Sequence, residues 1–267
     1  MSAPDLAALH HQNMVAAITQ VGEFVPDAVL RQADGVMTVL TGLPFPLFNQ
    51  VFVTDVGGPG PGAAAAIAAG VATARARADR FVVTLRDGID DDAIPVVRGL
   101  GLQPLGTTVW MPGMALHPLP NTSPGLGPDF TIRRAADTEV LDDHIAVASE
   151  GFGMPLEFLR PIMPPALLDA PETAIYVGYE AGVPVVCGLG IRTGRAVGLY
   201  NIATVPAARG RGYGAAMTTH IAVDGAREGC DTAILQASEM GQPIYERLGY
   251  RTVVAYYGWV DRAAEPE

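Results

Sequence analysis

Residues 209–215 read Arg-Gly-Arg-Gly-Tyr-Gly-Ala, three alternate glycines with two arginines among them. Glycine enters left-handed backbone without steric cost, so such a run can curl the main chain tightly and turn several N–H groups toward one point. Upstream, Leu199-Tyr200-Asn201-Ile202-Ala203-Thr204-Val205 is an apolar run that reads as a buried strand. Pro206 ends it, because proline has no N–H to give a ladder. Downstream, Ala215 to Glu228 carries apolar residues at helical spacing (Ala216, Met217, Ile221, Ala222). A glycine turn between a strand and the start of a helix suits an anionic group, which the free amides and the helix dipole attract together. An ordinary tight turn with no ligand would use the same residue types.

Two phosphate-binding arrangements are tested by spacing. A P-loop needs a lysine after its last glycine, and all 17 basic residues of this chain are arginine. A dinucleotide-binding turn is satisfied formally by Gly210, Gly212 and Ala215, but four residues separate its first glycine from the strand's last valine. Its ribose-binding acid should end the next strand, whereas Asp231 precedes that strand.

The run Arg209-x-x-Gly212-x-Gly214, followed by Ile244-Tyr245-Glu246-Arg247-Leu248-Gly249-Tyr250, resembles the GNAT acyl-CoA N-acyltransferases. The resemblance extends from Phe130 to about Asp261 and implies an α/β fold on a mixed sheet, with acetyl-CoA or a related thioester as donor. It implies that the amides of Gly210, Arg211, Gly212, Tyr213, Gly214 and Ala215 hold the pyrophosphate, with Arg209 and Arg211 nearby as cations. Ile202, Ala203 and Thr204 would pair with the donor's amide-bearing arm where a bulge opens the strand, and an N–H there would polarise the thioester carbonyl. Tyr245 stands where the family has its general acid. A phenol of pKa near 10 can protonate a departing thiolate of pKa near 8.5. Ser238 occupies a place where relatives often have an asparagine on the arm, although capping of a turn explains a serine equally well. Relatives often carry a glutamate base on the donor strand, and Val197 to Val205 has no carboxylate. Glu150, Glu239 and His144 are the remaining candidates; each reads more simply as solvated surface, and no base is assigned.

The elements that must position these residues follow from pattern. Asp5 to about Gln20 reads as a helix with Leu6, Leu9, Met14, Ala17 and Ile18 as its stripe; His10 and His11 point about 100° apart on it and are expected at the surface. Strands are expected at Val36–Gly42, Phe48–Thr54, Phe81–Leu85 and Leu102–Met111, and helices at Ala63–Ala78 and Asp91–Gly99. Adding 152 carries Phe48-Asn49 onto Tyr200-Asn201 and Gly58, Gly60 and Gly62 onto Gly210, Gly212 and Gly214, while Leu100-Gly101 meets Leu248-Gly249 at 148. Two copies of one fold are therefore expected, a degenerate one over 1–116 and a catalytic one over 130–267, joined by a Pro/Gly-rich linker at 117–129. In the first copy Pro59 and Pro61 remove N–H donors and Val97 stands opposite Tyr245, so it is expected to bind no CoA and to pack, dimerise or wall the active site. In the second, Asp137 or Thr138 caps a helix, Leu156–Leu168 forms another perturbed by prolines, and Ala174–Tyr179 with Val183–Ile191 forms a hairpin.

Composition sets the outer limits. A net charge of −11 argues against nucleic-acid and anionic-membrane partners, and is compatible with an amine acceptor, a small molecule or a peptide. Cys187 and Cys230 lie in or beside apolar runs and are expected as buried thiols; no zinc spacing occurs, so no metal is expected. The longest apolar run, Ala63 to Ala72, is too short to span a bilayer, the first 20 residues lack a basic region, and a cytoplasmic protein is expected. The reading is an N-acetyltransferase acting on a primary amine by direct transfer. A non-catalytic acyl-CoA-binding regulatory module and a mycothiol-synthase-like acyltransferase stand as alternatives.

Overall fold

The computed structural model describes residues 2–106, 111–123 and 125–261. In chain order the first elements are α1 (Ala3–Phe24), β1 (Val29–Ala33), β2 (Val36–Leu40), β3 (Asn49–Val53), α2 (Ala63–Arg77), β4 (Val82–Arg86), α3 (Ile94–Gly99), β5 (Leu102–Pro104) and β6 (Met111–Leu116). Then come β7 (Phe130–Arg134), α4 (Thr138–Phe152), α5 (Leu156–Leu159), β8 (Thr173–Glu180), β9 (Val183–Thr193), β10 (Ala196–Thr204), α6 (Tyr213–Arg227), β11 (Thr232–Gln236), α7 (Gln242–Arg247) and β12 (Arg251–Asp261).

These elements form two compact units, and neither is a contiguous stretch. One comprises Met14–Gly113 and the residues from Thr252 on; the other comprises the residues up to Asn13 and Met114–Arg251. The expected division into 1–116 and 130–267 differs from this at both ends. Strand pairing is non-local, and no spacing in the sequence announces which strand closes which sheet.

In the unit of residues 14–113 the strands lie in the order β1-β2-β3-β4-β12, with β5 also paired to β12. The β3–β4 pair is parallel, as a strand–helix–strand crossover through α2 requires, and β12 runs antiparallel to β4. Val51, Val53, Ile67, Val71, Val83 and Trp259 meet in its core. The β1–β2 hairpin was not anticipated, yet its turn is Asp34-Gly35, both left-handed at φ 45° and 70°, a turn pair with a known preference for these residues. β12 was likewise missed, and the expected strand Leu102–Met111 holds the whole of β5 and only the first residue of β6, with 107–110 outside the described residues.

In the other unit the order is β6-β11-β10-β9-β8-β7, with β10 and β11 parallel. α6 packs on one face, closely enough that a methyl at Gly188 would stand 2.7 Å from both Ile221 and Met217. The opposite face takes α4, through Val140 on Val177, and the first turns of α1. Asp137 caps α4 as expected, accepting from the Val140 N–H at 3.0 Å. The helix expected over Leu156–Leu168 is broken into α5 and two short 3-10 turns at Arg160–Ile162 and Pro165–Asp169, because each proline withholds a donor. His10 and His11 are buried rather than at the surface. No described helix is long and apolar enough to cross a membrane.

The fold does repeat, but at another offset than the sequence suggested. α2 and α6 both have 15 residues, and both Ala63 to Tyr213 and Val82 to Thr232 are 150 apart. The strands before them are equivalent at 146, since Gln50 pairs with Val82 as Ala196 pairs with Thr232. β10 takes up the difference by being longer and bulged.

Candidate active site

β10 is where the site begins. It pairs with β9 without interruption from Ala196 to Tyr200, then resumes at Ala203 opposite Cys187, so Asn201 and Ile202 face a single residue of β9. This is a β-bulge, and Asn201 sits in it at φ 51°, a conformation asparagine tolerates better than most residues. Its carbonyl accepts from the Cys187 thiol at 3.2 Å. Burial raises the pKa of that thiol to about 12, and both cysteines are free and buried, as expected.

On its other side β10 parts from β11. Their parallel pairing runs from Ala196–Thr232 to Gly198–Ile234 and goes no further. Two neighbouring parallel strands that separate toward their carboxyl ends leave a crevice there, the usual ligand position in such sheets. The first turns of α1 are fastened to both arms. His10 Nε2 lies 3.0 Å from the Leu235 carbonyl on β11, and the Tyr200 hydroxyl on β10 donates to Asn13 Oδ1 at 2.7 Å. Asn13 in turn donates to the Ile191 carbonyl at 2.8 Å. A methyl on Gly198 would meet Asn13 Oδ1 at 1.9 Å, so β10 needs its glycine there for the helix to sit so close. Desolvation lowers the His10 pKa to about 4.

The glycine turn follows β10 through a short 3-10 turn at Pro206–Ala208. Gly210 and Gly212 are left-handed at φ 77° and 87°, and Gly212 is the N-cap of α6, with no side chain capping the helix. Among the described residues, the backbone bonds of this region use none of the amides of Gly210 to Ala215. A concave row of unbonded N–H groups at a helix start is an anion-binding arrangement. Arg209 donates to the carbonyls of Gly151 at 2.7 Å and Thr204 at 3.3 Å, tying the end of α4 to the bulged strand. Arg211 instead forks onto Glu180 of β8, with Nη1 2.6 Å from Oε2. The Tyr213 hydroxyl donates to the same carboxylate, and the Tyr213 ring stacks on Phe130 with centroids 4.8 Å apart. These donors hold the Glu180 carboxyl below its ordinary pKa, the tyrosine contributing most.

At the structural offset, Pro59 and Pro61 stand opposite Arg209 and Arg211, with Gly60 and Gly62 opposite Gly210 and Gly212. Carboxylates approach this first turn: a methyl on Gly62 would lie 3.0 Å from Asp34 Cγ, and one on Gly60 3.8 Å from Asp55 Oδ2. The buried Arg86 is consumed by Asp90 and by the carbonyls of Asp55 and Val56. Val97, opposite Tyr245, lies in the core.

Tyr245 is on α7, which follows the carboxyl end of β11 as the glycine turn follows β10. Its ring is half-buried, packed on Gly241 and 6.0 Å from the ring of Tyr250. Burial raises its pKa, so the phenol is uncharged at neutral pH. Ser238 is exposed, and its hydroxyl accepts from the Gly241 N–H at 3.1 Å, the capping role. Of the base candidates, Glu150 and Glu239 are exposed. His144 is a correction: it is fully buried, its Nδ1 donating to the Tyr176 carbonyl, with burial pushing its pKa down to about 4. The residues that sequence reading missed here are His10, Asn13 and Glu180; no local signal distinguished them. Among the described residues, no group of three His, Cys, Asp or Glu side chains converges as a metal site would need.

Comparisons with known proteins bear on this geometry. Residues 171–252 match the family model described as the acetyltransferase (GNAT) domain. No curated protein matches the chain. A GCN5-related N-acetyltransferase from Kribbella flavida superposes with a TM-score of 0.69 at 18% identity, covering 94% of this chain and 95% of that one. A GCN5-related N-acetyltransferase from Sphaerobacter thermophilus gives 0.61 at 18%, over 100% and 95%. A tandem GNAT protein from the clavulanic acid biosynthesis pathway gives 0.63 at 13%, over 100% and 98%. At these identities the likeness is one of fold.

Proposed function

We propose that the second copy transfers an acetyl group from acetyl-CoA to a primary amine, a reading supported by the match of residues 171–252 to the acetyltransferase (GNAT) domain model and by the likeness of fold to a tandem GNAT protein. The observation that carries this reading is the conjunction of a bulged β10, its parting from β11 and the unbonded amide row that follows. The amides of Gly210 to Ala215 would hold the pyrophosphate, with Arg209 as the adjacent cation. The arm of the donor would lie along Ile202, Ala203 and Thr204, with Ser238 within its path. When bound, the donor supplies an activated acyl carbonyl, and a backbone N–H of the bulged strand polarises it. Tyr245 gives its phenolic proton to the departing sulfur, a role that its protonated state at neutral pH supports. Holding donor and amine together supplies much of the rate.

The first copy binds no CoA in this reading. Pro61, opposite Arg211, removes one amide donor of the row, and Asp34 and Asp55 put negative charge where a diphosphate would need positive. We place the protein in the cytoplasm, with a small-molecule or peptide amine as acceptor and homodimerisation open to test. Replacing Tyr245 by phenylalanine should lower kcat by about 10²-fold or more with CoA affinity retained. An unchanged kcat would remove the acid role. Wild-type protein that binds CoA yet releases no thiol across a screen of amines would favour a non-catalytic acyl-CoA-binding module instead.

A further inference from the structure

The turn that would receive the diphosphate already has an anion beside it. Glu180, at the end of β8, holds both nitrogens of the Arg211 fork and the hydroxyl of Tyr213, the first residue of α6. Arg209 differs, because it bonds the carbonyl oxygens of Thr204 and Gly151 and, among the described residues, forms no ion pair with a carboxylate. A planar guanidinium that presents its fork to one carboxylate cannot present the same fork to a phosphate. The carboxylate also lowers the potential at the very helix start that an incoming anion would use.

We propose that Glu180 sets the donor affinity of this site, acting as an internal competitor that a diphosphate must displace from Arg211. This rests on the reading of the second copy as the CoA site. Glu180 is thus an affinity-determining residue rather than a catalytic one. It limits retention of the diphosphate-bearing product as well as uptake of the donor.

Titration calorimetry with CoA and with pantetheine, which lacks the phosphates, tests this on the full chain. Glu180→Gln keeps the shape and can still accept from Tyr213. It should tighten CoA by about threefold at low salt, the size expected for a partly exposed ion pair, and leave pantetheine unchanged. The gain should shrink as salt is raised. In an Arg211→Gln background the same change should give less than it does alone. Equal or weaker CoA binding by Glu180→Gln would overturn the proposal and assign the carboxylate to holding Arg211 and Tyr213 in place. So would an equal gain for pantetheine. If wild-type protein binds no CoA at all, the donor reading itself fails, which is a separate outcome.

Discussion

An imidazole sealed in an apolar interior has to remain neutral, and His10 and His144 are such groups, both with pKa pushed down to about 4 by burial. Above pH 6.5 the native and unfolded imidazoles are both neutral and contribute nothing to the pH dependence. Between 6.5 and about 4 the unfolded chain takes up protons that the native state refuses, so stability falls as pH falls through this window. The urea midpoint should therefore drop steadily from pH 6.5 to 4.5, and the ring resonances of these two histidines should not titrate between pH 7.5 and 5. A midpoint flat across that range would show that neither is held neutral. Neither burial was legible in sequence. His10 adjoins an apolar stripe, but its partner, the Leu235 carbonyl, is 225 positions away, on β11 just past the end of its pairing with β10.

At the scale of elements, the glycine turn is a backbone device, so it answers to backbone changes. Gly212→Ala would put a side chain at φ 87° with open space around it, the nearest atom being Leu126 Cδ2 at 3.6 Å. The cost is then conformational, about 1–2 kcal/mol, and calorimetry should show a modest fall in Tm. CoA affinity should fall by more than that strain explains, since the backbone change redirects the unbonded amides of the turn; unchanged affinity would mean the turn does not touch the donor. This turn was the most legible feature of the chain, because glycine, proline and arginine mark it within ten residues. The bulge in β10 was expected from resemblance alone. The bulge adds one residue, and β10 has nine residues where β3 has five, so the strands are offset by 146 while the helices and following strands are offset by 150. Glycine spacing matched by coincidence across the turn while the backbone had already slipped.

Over the whole molecule, each unit takes a terminal segment from the far end of the chain. For the unit of residues 14–113 that segment is β12, which sits against β4, supplies Trp259 to the core and Asp261 to Arg75 at 2.7 Å. Trp259→Ala should cost about 3–5 kcal/mol. Limited proteolysis of the variant should cut first within residues 14–113 while 114–251 stays protected; the reverse order would show that the units do not bear the loss separately. The last strand alternates in a way that period-2 reading could have found, but its destination could not be read, since nothing in Arg251–Asp261 names β4 as partner. That exchange has a consequence during translation. β4 leaves the ribosome about 165 residues before the strand that covers its edge, a wait on the order of ten to thirty seconds at ordinary elongation rates. For that interval the nascent chain carries an open, apolar sheet margin able to recruit a neighbour on the same polysome. Slowing elongation should therefore lower the soluble yield of this protein more than that of a protein of similar size whose sheets close in chain order.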